Sequence, residues 1–103
     1  MALFTNTDML LKFDGLKDQD GNVITGADVR ATVYQPDSKT EVSGMTWPIT
    51  LSDDGNGNYS AVLEDSMELK LGSLHWIKLD ISGGGADDQR WISEIAKRRG
   101  AND

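Results

Sequence analysis

His75-Trp76-Ile77-Lys78-Leu79-Asp80-Ile81 decides the fold. His75, Ile77, Leu79 and Ile81 fall on one side of an extended chain, and Trp76, Lys78 and Asp80 fall on the other. One buried and one wet face is the pattern of an antiparallel sheet. A strand over these residues needs a neighbour, and the triple glycine Gly83-Gly84-Gly85 supplies a turn directly after it. Residues 87–99 admit two readings. As a helix, Asp87 caps the start, Trp91 and Ile95 lie one turn apart, Glu94 precedes Arg98 by four and Gly100 ends it. As a strand, Trp91, Ser93 and Ile95 share a face in a hairpin with residues 74–82. The strand is preferred, because residues 74–82 require a partner.

Upstream, the same alternation recurs after two Gly/Asx clusters. Asp18-Gln19-Asp20-Gly21-Asn22 leads through Thr25-Gly26-Ala27-Asp28 into Val29, Ala31 and Val33. Ser52-Asp53-Asp54-Gly55-Asn56-Gly57-Asn58 leads into Tyr59, Ala61 and Leu63. Tight turns ahead of period-two hydrophobicity specify hairpins and half-buried strands. Met9, Leu11 and Phe13 form a further strand. Another runs from Val42 through Trp47, Ile49 and Leu51, where Pro48 lacks an amide donor and so marks an edge or a bulge. Residues 64–71 leave room for one short helical turn crossing between sheets, closed by Gly72. Six to seven short strands so spaced predict an all-β fold of two packed antiparallel sheets. One domain over residues 1–99 with a tail at 100–103 is the economical division of 103 residues.

Composition narrows function by exclusion. Cysteine is absent, which removes disulfides, thiolate metal sites and cysteine nucleophiles. The net charge is −7. Of ten bases, Lys97, Arg98 and Arg99 fall in the last seven residues against Asp103, leaving seven bases against sixteen acids elsewhere. An acidic body repels nucleic acid and anionic lipid, so neither is an expected partner. Met1 to Asn6 has no basic region or sustained apolar stretch and does not read as a signal peptide. No run reaches the roughly 18 residues that cross a bilayer. The chain is expected in the cytoplasm or in something assembled there.

The sites that resemble chemistry each have a plainer reading. Asp18 opens what looks like a calcium loop, but its twelfth position is Val29 rather than a bidentate glutamate. A looser calcium site with Asp53 or Asp54 stays open beside the simpler reading that Asx residues make turns. His75, the single histidine, has no Gly-x-Ser-x-Gly elbow to serve and reads as a strand residue at a sheet margin. Gly83-Gly84-Gly85 precedes Asp87 and Asp88, which would repel phosphate. The pairs Asp53-Asp54 and Asp87-Asp88 lack the protonated partner that glycosidase chemistry needs. No catalytic residue, metal or cofactor is expected, and a small-molecule ligand is not the expected partner. Three tryptophans remain. Trp47 shares a face with Ile49 and Leu51 and reads as core. Trp76 lies opposite Ile77 and Leu79, beside Lys78 and Asp80, and is the candidate for an exposed aromatic contact.

Asp20-Gly21-Asn22-Val23-Ile24-Thr25-Gly26-Ala27-Asp28-Val29 resembles the opening of carboxypeptidase-regulatory-like and transthyretin-like sandwiches. Gly57-Asn58-Tyr59 and Leu71-Gly72 are similar to their later half. Thr46-Trp47-Pro48-Ile49-Thr50-Leu51, with Arg90-Trp91 and Arg98-Arg99, resembles small proteins of tailed-phage and prophage genomes. The resemblance spans residues 18–99 and carries no catalytic residue. It implies an immunoglobulin-like antiparallel β-sandwich that serves a virion or its assembly without catalysis, in the host cytoplasm and then in the particle. Other phage structural proteins or further copies of itself are the implied partners. Trp76 and the basic strip Lys97, Arg98 and Arg99 are the expected contacts. A carbohydrate-binding or adhesive module is the rival expectation, motivated by the tryptophans and Asx loops.

Overall fold

A computed structural model describes residues 3–4, 7–83 and 86–97. Most alternating segments become strands, although of the segment from Val42 to Leu51 only Ile49–Thr50 does: β1 (Leu3–Phe4), β2 (Met9–Phe13), β3 (Asp28–Tyr34), β4 (Ile49–Thr50), β5 (Ser52–Gly55), β6 (Asn58–Leu63), β7 (Leu74–Gly83) and β8 (Ala86–Lys97). They form two sheets, ordered β1-β8-β7-β3-β4 and β2-β6-β5. All strand pairs are antiparallel except β1 with β8. The architecture is a β-sandwich, and residues 87–97 are strand. Gly83 opposes Ala86, which sets the register of the longest pairing in the molecule.

The inner faces are those the alternation assigns. Val29, Ala31 and Val33 of β3 and His75, Ile77, Leu79 and Ile81 of β7 are buried against Leu11, Tyr59 and Leu63 of the smaller sheet. Trp47 packs on the edge of this core and donates its indole N–H to the Val42 carbonyl at 2.7 Å. The Trp47–Pro48 peptide is cis, and β4 directly after it is an edge strand. Leu51 alone separates β4 from β5, so the chain changes sheets across one buried residue. Its N–H donates to the Val29 carbonyl at 2.8 Å.

The Asx clusters work locally. The Asp18 Oδ1 accepts the Asp20 and Asn22 amides, and Lys17 bridges Val23 across that turn. Ser52–Gly55 is strand rather than loop, and Asn56 and Gly57, both at positive φ, turn it into β6. Two left-handed residues are what a type I′ hairpin demands. The Tyr59 hydroxyl, buried, donates to the Ile24 carbonyl at 2.9 Å and pins the loop that leads into β3.

Two further expectations are corrected. Residues 64–71 contain no helix: the Met67 amide closes a single turn on the Glu64 carbonyl, and residues 67–70 have no regular structure. Polar groups of this stretch go to a distant segment instead, with Glu68 N–H on the Ser43 carbonyl and Ser66 Oγ on the Gly44 carbonyl. His75 is not marginal but fully buried. Its Nδ1 lies 3.1 Å from the Ser73 carbonyl and its Nε2 accepts the Lys70 amide at 3.2 Å. Those partners fit a neutral ring with the proton on Nδ1. Burial, the largest effect, lowers its pKa; the Ser73 carbonyl opposes this and Lys70 adds to it.

Candidate interaction surface

The outer face of the larger sheet collects the side chains that β3, β7 and β8 turn away from the core. Register sets Tyr34 opposite Trp76 and Trp76 opposite Ser93, then Thr32 opposite Lys78 and Lys78 opposite Trp91. Leu74 opposes Ile95 at one end, and Arg30, Asp80 and Gln89 line up at the other. The face is thus apolar at one end and charged at the other.

Tyr34 and Trp91 reach toward each other across β7, their ring centroids 5.4 Å apart and tilted by 36°. The Lys78 ammonium sits 5.7 Å from the tyrosine ring centre and 6.0 Å from that of Trp91. A cation within about 6 Å of a ring face is stabilised by roughly 0.5–1 kcal/mol where solvent still reaches it. Partial burial alone would lower the Lys78 pKa, but the Tyr34 hydroxyl and the Asp80 carboxylate outweigh it and raise it. Asp80 Oδ2 lies 3.6 Å from the ammonium, and Asp80 Oδ1 accepts the Gln89 amide at 3.0 Å. The aromatic group is therefore anchored by a polar row at its charged end.

Trp91 remains 45% exposed, Leu74 54% and Ile95 38%. Beside them is a shallow hollow of about 350 Å³ lined by Ser38, Lys39, Trp76 and Trp91. Its rim is a rigid turn. Asp37 Oδ1 accepts the Lys39 and Thr40 amides, its Oδ2 accepts the Thr40 hydroxyl, and Ser38 is held at φ +60°. The Thr40 hydroxyl, followed by the two amides, lowers the Asp37 pKa to about 2. A non-glycine residue held left-handed beside exposed rings is pre-ordered backbone at a contact surface.

Trp76 lies in this face, as its alternation implies, and is half-buried. Lys97 ends β8 on the same side, exposed, two residues beyond Ile95. Arg98 and Arg99 lie outside the described residues. Trp91, Tyr34, Lys78, Leu74 and Ile95 escaped the sequence reading as contacts. The alternation of Trp91, Ser93 and Ile95 was visible, but only the β7–β8 register brings Trp91 beside Lys78. Among the described residues no group of three or more histidine or acidic side chains is placed to hold a metal. Compared with known proteins, the chain matches no family model, no curated relative and no solved structure.

Proposed function

We propose that this chain is a non-enzymatic structural or assembly component of a tailed-phage virion, in its tail or head–tail region, acting through protein–protein contacts. The observation that carries the contact role is the aromatic face of Tyr34, Trp76 and Trp91 continued by Leu74 and Ile95. Large aromatic residues on a rigid sheet, ringed by charge, have the make-up of interface anchors. The phage assignment and the immunoglobulin-like affiliation rest on the resemblance of residues 18–99. The acidic net charge supports protein rather than nucleic-acid partners.

The test replaces Trp76 and Trp91 with alanine in phage carrying the gene. Particles that lose the protein, while the purified variant keeps its circular dichroism, support the reading. Undiminished incorporation removes the face from it, and a gene placed among host metabolic genes removes the virion.

A carbohydrate-binding role is the second reading, favoured by the hollow against Trp76 and Trp91. Sugar rings stack on such indoles through their C–H faces. A glycan array probed with and without calcium separates the two readings, since silence in both conditions leaves only the protein contact.

A further inference from the structure

β8 runs twelve residues, but β1 pairs only with its last two, Ala96 and Lys97. Ala96 donates its N–H to Ser73 and accepts that of Gly72, so its backbone bonds lie on the β7 side. Alternation then turns the N–H and C=O groups of Gln89, Trp91 and Ser93 to the opposite side. Among the described residues no strand occupies that side before Ala96. The Gln89 N–H is met there by the Asp88 carboxylate at 2.8 Å, a local substitute for a strand partner.

The remaining edges are shorter or carry charge. β4 has two residues, β5 has four with Asp53 and Asp54 among them, and β2 has five including Lys12. Short edges, and edges with charge of one sign, resist strand addition, whereas a long one carrying both signs can match a second copy of itself. The charges of β8 also specify which strand fits. Counting outward from Ile92 along the stretch that β1 leaves open, Arg90 is matched by Glu94, opposite in sign.

We propose that the chain self-associates through β8, paired antiparallel with β8 of a second copy about a two-fold axis at Ile92. In that register Arg90 faces Glu94 twice and Trp91 faces Ser93 twice. Positions 91 and 93 are those whose backbone groups already point outward. Moving the axis to Trp91 sets Asp88 against Glu94, and moving it to Arg90 sets two arginines together, so charge selects Ile92 over both. Arg90 already bonds the Asp88 carboxylate at 2.8 Å and the Lys17 carbonyl at 2.7 Å. Its five N–H donors leave capacity for a third acceptor. The two Trp91 side chains become diagonal neighbours across the seam, where only their edges toward it are covered. A seam this short predicts a weak dimer, with a dissociation constant in the micromolar range. The pairing goes beyond the virion reading, since it holds equally for a glycan-binding module.

Sedimentation of the purified chain tests it. Wild type is expected to shift from monomer to dimer with concentration. Arg90→Glu and Glu94→Arg are each expected to weaken the dimer by roughly tenfold or more, because two pairs change from attraction to repulsion. Mixing the two variants restores it, as a heterodimer. Ser93→Pro removes an outward N–H, which an edge strand tolerates, and is expected to be monomeric with an unchanged melting curve. If Arg90→Glu loses its Lys17 contact and unfolds, Glu94→Arg and Ser93→Pro carry the test alone. A wild type that stays monomeric up to about 1 mM, far above that dissociation constant, overturns the proposal. So does a dimer indifferent to these variants. Particle incorporation through Trp76 and Trp91 would survive either result, so the two readings fail separately.

Discussion

Gly44 shows how one residue can fix a contact between segments that share no strand. It adopts φ +100°, and a Cβ there would overlap the Ser66 carbonyl. The two chains approach this closely because the Ser66 hydroxyl donates to the Gly44 carbonyl at 2.8 Å and the Glu68 amide to that of Ser43 at 2.9 Å. Met67 is thereby pressed into the core. Gly44→Ala combines left-handed strain with a backbone clash and is expected to lose about 3 kcal/mol or more. Chemical denaturation checks this, and a loss below about 1 kcal/mol would mean the two segments part easily. Nothing near Gly44 in the sequence announces Ser66. A glycine in a loop reads as a turn, and its real constraint comes from 22 residues away.

At the scale of elements, alternation was readable wherever one face is buried. β3 and β7 follow that pattern closely, with every inward position of β7 from His75 to Ile81 buried. β5 failed the same reading because all four of its residues are exposed, so no periodicity exists to be seen. It is a strand because its partner β6 is one, and because the Asn56-Gly57 turn returns it in register. The Asp53 carboxylate then ties this hairpin to the first Asx loop. It accepts the Gly55 amide at 2.9 Å and the Gly26 amide at 3.0 Å, and those bonds, Gly55 first, lower its pKa. Tyr59 reinforces the link from inside, within reach of the Ala27 amide as well as the Ile24 carbonyl. Tyr59→Phe leaves that buried carbonyl without its donor and is expected to cost about 1–2 kcal/mol. The denaturation midpoint should fall with an unchanged slope, and an unmoved midpoint would show the hydroxyl to be idle.

Over the whole molecule, stability falls on acidification in two separate pH windows, one set by carboxylates and one by His75. Asp37, Asp53 and Asp88 are depressed in the fold, the last through Arg90 and then the Gln89 amide. Their contribution is complete above the unfolded carboxylate range and is lost as pH falls from there through each folded pKa, about 2 for Asp37. His75 acts higher. Its folded pKa lies below 6.5, so the unfolded chain takes the proton first and stability declines as pH drops beneath 6.5. The melting temperature is expected to fall between pH 7 and pH 5, and His75→Gln, which cannot titrate, should flatten that slope. An equal slope in both proteins would assign the loss to other groups. Whole-molecule features were also the least legible in the sequence. The aromatic face draws Tyr34, Trp76 and Trp91 from three strands, so no local window contains it. Its existence depends on pairing register, which alternation leaves free by steps of two residues.

The passage through Leu51 has a mechanical meaning. With one residue joining a strand of each layer, there is no slack for one sheet to glide over the other on that flank. A slip of a single pleat would swing Leu51 outward and break its bond to Val29. The layers are therefore geared together there, and any breathing must be a rotation about that corner, as a book opens along its spine.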